Sequence, residues 1–481
     1  MKSDVPPRVV LKFGGTSVSS RRGWDTISDL VTARVEAGQR ILIVHSALAG
    51  VTDLLDRLPD EALTGRHAAP LDRLSEQHFQ LGADLGLDGP AVLGDEIAEI
   101  RKATDGVALL EEVTPRIRAR ILAFGERLST RIGAAFLLSA HHRVEWLDAG
   151  SLLRAVQTGR QTGSSVWLSA ECDSDLEPSV RTRLDALEGV GLTQGFTART
   201  EKGEPVVLGR GGSDTAAAYL AGKWGADWLE IWSDVPGMFS ADPRLVPTAR
   251  LLRRLNYYEA QEITTTGSQV VHPRAIRALR DSGIPIELKS TMDRGSPNTM
   301  IESIGTTGPA QVKAISWKGK IVLVSMDTLG MWQEVGFLAR AFAVFKDEGI
   351  SIDLVSTSES NVTVSLDSKA TLLDEEKLAA VRDGLSPLCR VQIIQPCAAV
   401  SLVGSRIREI LHRMGPVMAA FEGHRIHLVS QAASDLNFTV VVDEEGVDRL
   451  VRRLHDLLIP QSTESDVFGP SWEELSTVGT G

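Results

Sequence analysis

Short β-branched runs alternate with helical stretches in the first part of the chain, and this alternation limits the possible folds strongly. The run at residues 9–11 is followed by a Gly-Gly turn, a helical pattern through Ile27, Leu30 and Val31, and a second run at residues 41–44. Strand, helix and strand in this order place parallel strands in one sheet and helices on its faces. We therefore predict an α/β domain with a mainly parallel sheet sandwiched by helices.

The middle of this domain is predicted to be helical. Apolar residues recur at intervals of four and seven between Ile117 and Leu137, as one buried stripe of a helix requires, and Glu126 lies within that helix. Residues 53–115 also have helical patterns, although Gly-containing stretches interrupt them. No function is assigned to that region.

A different pattern follows the turn-rich stretch that runs through residues 294–309. Strand, helix, strand and strand are predicted over residues 321–366, and the same order recurs over residues 399–442. This is an internal repeat of an α+β unit. The predicted divisions are an α/β domain at 1–305, two repeats at 312–392 and 396–460, and a tail or linker at 461–481 with little capacity to form a core.

Composition excludes several classes of function. The formal net charge of −12 argues against nucleic acid as a partner. The N-terminal residues lack the apolar region of a signal peptide, and no later run is long enough to span a membrane, so a cytoplasmic protein is expected. The three cysteines form no CxxC pair, so neither a disulfide framework nor a zinc site is predicted.

Two Gly-Gly turns give the first indication of the chemistry that this chain performs. Each follows an apolar strand and precedes a helix: residues 12–17 read KFGGTS, and residues 209–214 read GRGGSD. Glycines there let backbone N–H groups approach a phosphate at a helix N-terminus, and Lys12 and Arg210 add positive charge. Ordinary turns with Ser213 and Asp214 as helix caps are the alternative, but together the two turns favour phosphoryl chemistry.

The motifs of this chain, in order and approximate spacing, resemble those of the aspartokinases. They are KFGGTS at 12–17, HSALAGVT at 45–52, FGE at 124–126, GRGGSD at 209–214, SDVPG at 233–237 and VHPR at 271–274. The resemblance continues through both repeats and covers almost the whole chain. Acetylglutamate, carbamate, uridylate and glutamate 5-kinases share the catalytic fold, but none of them pairs these motifs with two ACT-like repeats.

The resemblance implies an amino-acid-kinase fold followed by two α+β ACT-like domains. It implies an ATP- and Mg²⁺-dependent aspartate kinase that makes 4-phospho-L-aspartate and ADP, the first step of the aspartate-family biosynthetic pathway. L-Lysine is expected as an allosteric inhibitor, and a homodimer or larger assembly is expected through the ACT domains.

The resemblance also implies roles for individual residues. Lys12 would meet the transferring phosphate, and Asp214 would orient it or the substrate. Arg210 would clamp the α-carboxylate of aspartate, and Glu126 would face its amino group. The remaining pocket residues would be Ser46, Thr52, Phe196 and Ser213.

Nucleotide binding is assigned by the same likeness. The phosphates would meet the backbone of Gly14, Gly15, Gly211 and Gly212, and the nucleotide side would include Ser233, Asp234, Phe239 and Arg244. Two positions depart from the family pattern. Gln269 stands where a nucleotide-contacting lysine is common, which puts ATP affinity in doubt, and Ser233 replaces the usual threonine.

The first repeat is expected to bind the effector at an interface between two chains. The implied residues are Met331, Val335, Gly336, Phe337, Leu338, Ser351, Asp353, Ser358 and Glu359. Solvated strand ends are the alternative for Asp353 and Glu359.

Two other functions stay open: an amino-acid-sensing module whose kinase domain has decayed, and a kinase of another small carboxylate. Residues 466–472 also resemble the junction in fused aspartokinase–diaminopimelate decarboxylases. The chain is thus expected to be of the lysine-sensitive type or the kinase part of such a fusion.

Overall fold

A computed structural model describes residues 6–156, 163–268, 270–304, 309–328, 335–368, 373–410, 412, 415–431, 434–460 and 465–478. Its contacts divide the chain into two units. The first holds residues 1–238, 253–260 and 269–305, and the second holds residues 239–252, 261–268 and 306–481. No helix among the described residues is long and apolar enough to cross a membrane.

The first unit is built on an eight-stranded sheet with the strand order β3-β4-β2-β1-β7-β10-β11-β9. All neighbouring pairs are parallel except β10 and β11. The strands are β1 (Arg8–Phe13), β2 (Arg40–His45), β3 (Val144–Leu147), β4 (Val190–Gln194), β7 (Trp228–Ser233), β9 (Arg254–Asn256), β10 (Ile286–Ser290) and β11 (Thr299–Glu302), with a separate hairpin of β5 (Thr197–Arg199) and β6 (Pro205–Val207). β1 is buried along its whole length, as expected for a strand covered on both faces.

Helices cover this sheet. They are α1 (Gly15–Val18), α2 (Arg21–Glu36), α3 (Val51–Leu63), α4 (Ala68–Asp84), α5 (Gly89–Leu110), α6 (Pro115–Leu122), α7 (Phe124–Ser139), α8 (Ser165–Leu168), α9 (Pro178–Asp185), α10 (Gly212–Trp224) and α12 (Pro273–Arg280); α11 (Tyr257–Thr266) begins in this unit. The α/β prediction is confirmed, as is the helical prediction for residues 53–115.

The single helix predicted between Ile117 and Leu137 is two helices, α6 and α7, which meet at Ala123. Close packing lies beside this break. A Cβ atom on Gly125 would come within 2.9 Å of Leu55 Cδ1 and 3.2 Å of Ala47 Cβ. Gly125 therefore lets α7 pack closely against Leu55 of α3, and periodicity alone does not report such a contact.

The second unit contains a six-stranded sheet with the order β13-β14-β12-β15-β17-β16. Its strands are β12 (Gln311–Asp327), β13 (Leu354–Thr357), β14 (Asn361–Asp367), β15 (Arg390–Ser405), β16 (Ile426–Ser430) and β17 (Asn437–Asp443). Its helices are α13 (Phe337–Asp347), α14 (Glu375–Leu385), α15 (Ile407–Ile410), α16 (Gly415–Ala420) and α17 (Val447–Leu458).

The two repeats share their central strands. Residues 321–327 of β12 pair with residues 397–390 of β15, but residues 311–318 pair with residues 405–399, which begin the second repeat. The strand that precedes the first repeat thus completes the sheet of the second. The domain boundaries given above stay a prediction.

Residues 468–478, within the segment expected to be a tail, form a strand and a helix. Residues 468–471 form β18, which pairs with β8 (Arg250–Leu252), and α18 (Trp472–Val478) follows. Phe468 is 2% exposed. The buried guanidinium of Arg250 donates to the carbonyls of Gly469 (2.7 Å) and Pro460 (3.0 Å). The low hydrophobicity of this segment gave no sign of the packing, because residues distant in sequence complete the buried surface.

We expect Phe468→Ala to lower the free energy of unfolding by ~3–5 kcal/mol, because it removes a buried aromatic ring and leaves a cavity. The measurement is the urea midpoint followed by tryptophan fluorescence. Glu473→Ala, at an exposed position of α18, is the matched control and should stay near wild type. Equal effects of the two changes would contradict the packing of this segment.

Candidate active site

A cavity of about 470 Å³ lies in the first unit. Residues that follow or end β1, β2 and β4 line it, as expected for a ligand site at the carboxyl edge of a parallel sheet. All the predicted catalytic and substrate-binding residues line this one cavity: Lys12, Ser46, Thr52, Glu126, Phe196, Arg210, Ser213 and Asp214. The fold therefore collects residues that are far apart in sequence.

Lys12 and Asp214 form an ion pair at the cavity wall. The distance between Lys12 Nζ and Asp214 Oδ1 is 2.6 Å, and the two side chains are 11% and 13% exposed. Asp214 lies in the first turn of α10, where the helix dipole favours a carboxylate. Its Oδ2 also accepts a hydrogen bond from the backbone N–H of His272 at 3.2 Å.

Glu126 is 3% exposed, and its carboxylate is held by three hydrogen bonds. The backbone N–H groups of Gly195 and Phe196 donate to Oε2, each at 2.5 Å, and Ser213 Oγ donates to Oε1 at 2.5 Å. Burial raises the pKa of Glu126 to about 7, although these hydrogen bonds and Lys12 act in the opposite direction. A second cation beside this group would favour its ionised form.

Arg210 is exposed where it lines the cavity. It forms no ion pair with a carboxylate of the described residues. Its guanidinium is therefore available to an anionic ligand, and its planar donor geometry suits a carboxylate.

The two Gly-Gly turns need glycine for different reasons. Gly211 has φ +63°, and a Cβ atom there would lie 2.2 Å from the His272 ring. At Gly15 a Cβ atom would lie 2.8 Å from the Ala47 carbonyl oxygen. Only Gly permits both approaches without a shift of the backbone.

Two of the four predicted phosphate donors are already engaged. The N–H of Gly14 donates to the Trp232 carbonyl at 3.2 Å, and the N–H of Gly212 donates to the Gly209 carbonyl at 3.0 Å. The N–H groups of Gly15 and Gly211 have no acceptor in the part of the chain that the structure describes. These two are the donors open to a phosphate.

The residues predicted for the nucleotide side are divided between the units. Ser233 and Asp234 end and follow β7 in the first unit, and Ser233 Oγ donates to the Val235 carbonyl at 3.0 Å. Phe239 and Arg244 belong to the second unit, where the Phe239 ring contacts Trp472 and Arg244 pairs with Asp242 at 2.8 Å. Gln269 lies outside the described residues.

The sequence did not indicate several residues that hold the site in position through hydrogen bonds. Gly195 supplies an N–H to Glu126, and Ser129 Oγ donates to the Ser46 carbonyl at 2.9 Å. Arg274 donates to the carbonyls of Leu208 (2.6 Å) and Ala170 (2.8 Å), which holds α12 beside the second glycine turn. The VHPR motif signalled Arg274, but nothing in the sequence indicated which carbonyls it reaches.

The predicted effector residues occupy two places in the second unit. Val335 and Leu338 are 96% and 42% exposed at the start of α13, and Gly336 caps it with φ +90°. Phe337 is buried in the core at 2% exposure, so only its backbone can meet a ligand. The others are exposed before or after β13, namely Ser351, Asp353, Ser358 and Glu359, and Met331 lies outside the described residues.

Comparison with known proteins gives matching family models for both parts. Residues 7–290 match the amino acid kinase family, and residues 324–371 match an ACT domain. Lysine-sensitive aspartokinase 3 of Escherichia coli is 30% identical over 462 residues, which cover 94% of this chain and 99% of that protein.

Solved structures agree with this likeness. Crystal structures of E. coli aspartokinase III resemble the chain with a TM-score of 0.80 for the complex with aspartate and ADP (R-state) and 0.73 for the complex with lysine and aspartate (T-state). Both are 30% identical in sequence; the first covers 94% of this chain and 100% of its own, and the second covers 94% and 99%. The chain therefore belongs to the amino acid kinase family and, within it, to the aspartokinases.

Proposed function

We propose that this chain transfers the γ-phosphoryl group of ATP to the side-chain carboxylate of L-aspartate, giving 4-phospho-L-aspartate and ADP. The main observation in support is that a single cavity is lined by Lys12, Glu126, Arg210 and Asp214. This is the first step of the aspartate-family pathway. A sensor with a decayed kinase domain would have no use for a preserved Lys12–Asp214 pair, which disfavours that alternative.

The charges of the cavity match each part of aspartate. Arg210 is a cation without a carboxylate partner among the described residues, and it suits the α-carboxylate. Oε2 of Glu126 already accepts two hydrogen bonds and Oε1 accepts one, so Oε1 keeps an acceptor position and can also accept from the α-ammonium group. With both ends of the amino acid held, its side-chain carboxylate is directed toward Lys12.

The reaction then needs little acid–base catalysis. A side-chain carboxylate with an ordinary pKa near ~3.9 is an anionic nucleophile at neutral pH. The obstacle is repulsion between this carboxylate and the γ-phosphate, and Lys12 lowers it by moving its charge from Asp214 toward the phosphoryl oxygens. Asp214 and the free N–H groups of Gly15 and Gly211 orient the two reactants.

Mg²⁺ enters this scheme as part of the nucleotide substrate, MgATP. No group of three His, Cys, Asp or Glu ligands converges in this cavity among the described residues. That fits Mg²⁺, which keeps several waters and is commonly held through phosphate oxygens with few protein ligands. Ser233, Asp234, Phe239, Arg244 and Gln269 remain the proposed nucleotide-side residues.

We expect Lys12→Ala to lower kcat by ~10³-fold or more, because the charge that develops in the transition state loses its partner. The acyl phosphate is trapped as the hydroxamate, with aspartate and glutamate compared as acceptors. Lys202→Ala, at an exposed position of the same unit, is the control and should leave kcat unchanged. Full activity of Lys12→Ala would refute the assignment, and preference for glutamate would point to another amino-acid kinase.

The pKa of about 7 for Glu126 predicts a pH-dependent affinity for aspartate. Ionised Glu126 attracts the ammonium group and protonated Glu126 does not, so KM for aspartate should fall as pH rises from about 6 to about 8. Glu126→Gln should raise KM and remove most of this dependence. A wild-type KM that does not change with pH, or the same slope in both proteins, would contradict the role of Glu126.

We further propose that L-lysine inhibits the enzyme through the first repeat, as the structure of the E. coli relative with lysine suggests. Exposed Asp353 and Glu359 suit the two ammonium groups, and the N-terminus of α13 suits the carboxylate. β13 and β16 lie at the edges of the second unit's sheet, and such edges favour pairing of two copies through this region.

Asp353→Ala should abolish inhibition by lysine without changing kcat, because Asp353 lies outside the catalytic unit. An allosteric coupling of ~1–3 kcal/mol would change the apparent affinity for aspartate by ~5- to 150-fold. Rates against lysine and calorimetric lysine affinity are measured in wild type, Asp353→Ala and the exposed control Asp347→Ala. Inhibition by threonine alone would reject the effector, and full lysine inhibition of Asp353→Ala would reject the site.

A further inference from the structure

Three side chains of different chemistry converge in the second unit. One ligand atom each from Cys397, His427 and Asp443 lies within 4.8 Å of the others. They come from the neighbouring strands β15, β16 and β17. We propose that these three side chains form a binding site for a divalent transition metal of the Zn²⁺ class.

Strand register brings the three side chains to one face of the sheet. Cys397 and Asp443 are direct cross-strand partners, so their side chains share a face. On β16, Ile426 pairs with Val442 and Leu428 pairs with Val441, which leaves His427 as the extra residue of a β-bulge. In a regular strand successive side chains point to opposite faces, so His427 would lie on the face opposite to Leu428. The bulge turns it toward Asp443, and bulges commonly re-aim side chains in this way.

Burial and hydrogen bonding favour a bound ion. Cys397 is fully buried, and the His427 side chain is 5% exposed. His427 Nε2 lies 2.7 Å from Asp443 Oδ1, and the thiol makes only a long hydrogen bond of 3.7 Å to the Ile394 carbonyl among the described residues. Bonds of ~2.0–2.3 Å place zinc ligands roughly 3–4 Å apart, so the three groups need to move by about 1 Å or less.

The surroundings define the rest of the site. Leu428 and Val441 belong, with Cys397, to one buried apolar cluster, and such a shell strengthens the attraction between a cation and its ligands. The Asp443 side chain is 50% exposed, which gives the ion a path from solvent and a water as fourth ligand. The neighbouring Glu444 is engaged elsewhere, because its Oε2 accepts from the Lys320 N–H at 3.1 Å.

Binding exchanges a proton for the metal. Burial, with smaller contributions from Asp443 and Glu444, raises the pKa of Cys397 to about 11, so the thiol is protonated in the metal-free protein. The ion displaces this proton to the buffer and forms a bond to the thiolate. Thiolate, imidazole and carboxylate together favour Zn²⁺ over Mg²⁺, which prefers oxygen ligands. The bound ion would join three adjacent strands of the second repeat.

The test uses the untagged full-length protein, freed of metal with a chelator and kept without nucleotide. Equilibrium dialysis against ZnCl₂ measures stoichiometry and affinity, and CoCl₂ serves as a spectroscopic probe through its thiolate charge-transfer band. We expect one equivalent of Zn²⁺ per chain, a cobalt–thiolate band, and a higher thermal midpoint with Zn²⁺.

Variants of the three ligands complete the test. Cys397→Ser should abolish the cobalt–thiolate band and weaken Zn²⁺ affinity at least ~10-fold, whereas Cys389→Ser, at the other cysteine of this unit, should change neither. His427→Gln and Asp443→Asn should also weaken Zn²⁺ binding, and they carry the test if Cys397→Ser does not fold. Absence of binding at micromolar Zn²⁺, unchanged affinity in the ligand variants, or a cobalt complex without a thiolate band would each overturn the site.

Discussion

The catalytic unit depends on one ion pair, which joins the end of β1 to the start of α10. Lys12 and Asp214 are both largely buried, and the attraction between them at 2.6 Å opposes the cost of removing two charges from water. Removal of one partner would leave the other charge uncompensated, at a cost on the order of 3–5 kcal/mol. The pair therefore links the two glycine turns and keeps a cation at the wall of the cavity.

At the same edge of the sheet, opposing interactions set the pKa of Glu126. Its burial alone would favour the neutral acid, but two backbone N–H groups and Ser213 stabilise the carboxylate. These opposing effects keep its pKa near neutrality, where a ligand's ammonium group can change its charge state. The break at Ala123 matters here, because α7 begins there and Glu126 lies in its first turn.

The second unit is organised by strands that belong to both repeats. β12 and β15 each run through the sheets of both repeats, and residues 311–318, which precede the first repeat's pattern, complete the sheet of the second. A change in one repeat is thus connected to the other through continuous hydrogen-bonded strands. The bulge at His427 shows how a local irregularity within this sheet can bring polar side chains together at the edge of an apolar cluster.

The sequence by itself determined the α/β order of the first unit, the repeated α+β pattern, and the glycine turns with Lys12 and Asp214. These features depend on local periodicity and on residue types at strand ends, which are readable within a few residues. Only the tertiary structure decided the close packing at Gly125, the pairing of residues 311–318 with the second repeat, and the packing of Phe468. Each of these depends on contacts between segments distant in sequence, where shape and hydrogen-bond partners, rather than local pattern, select the arrangement.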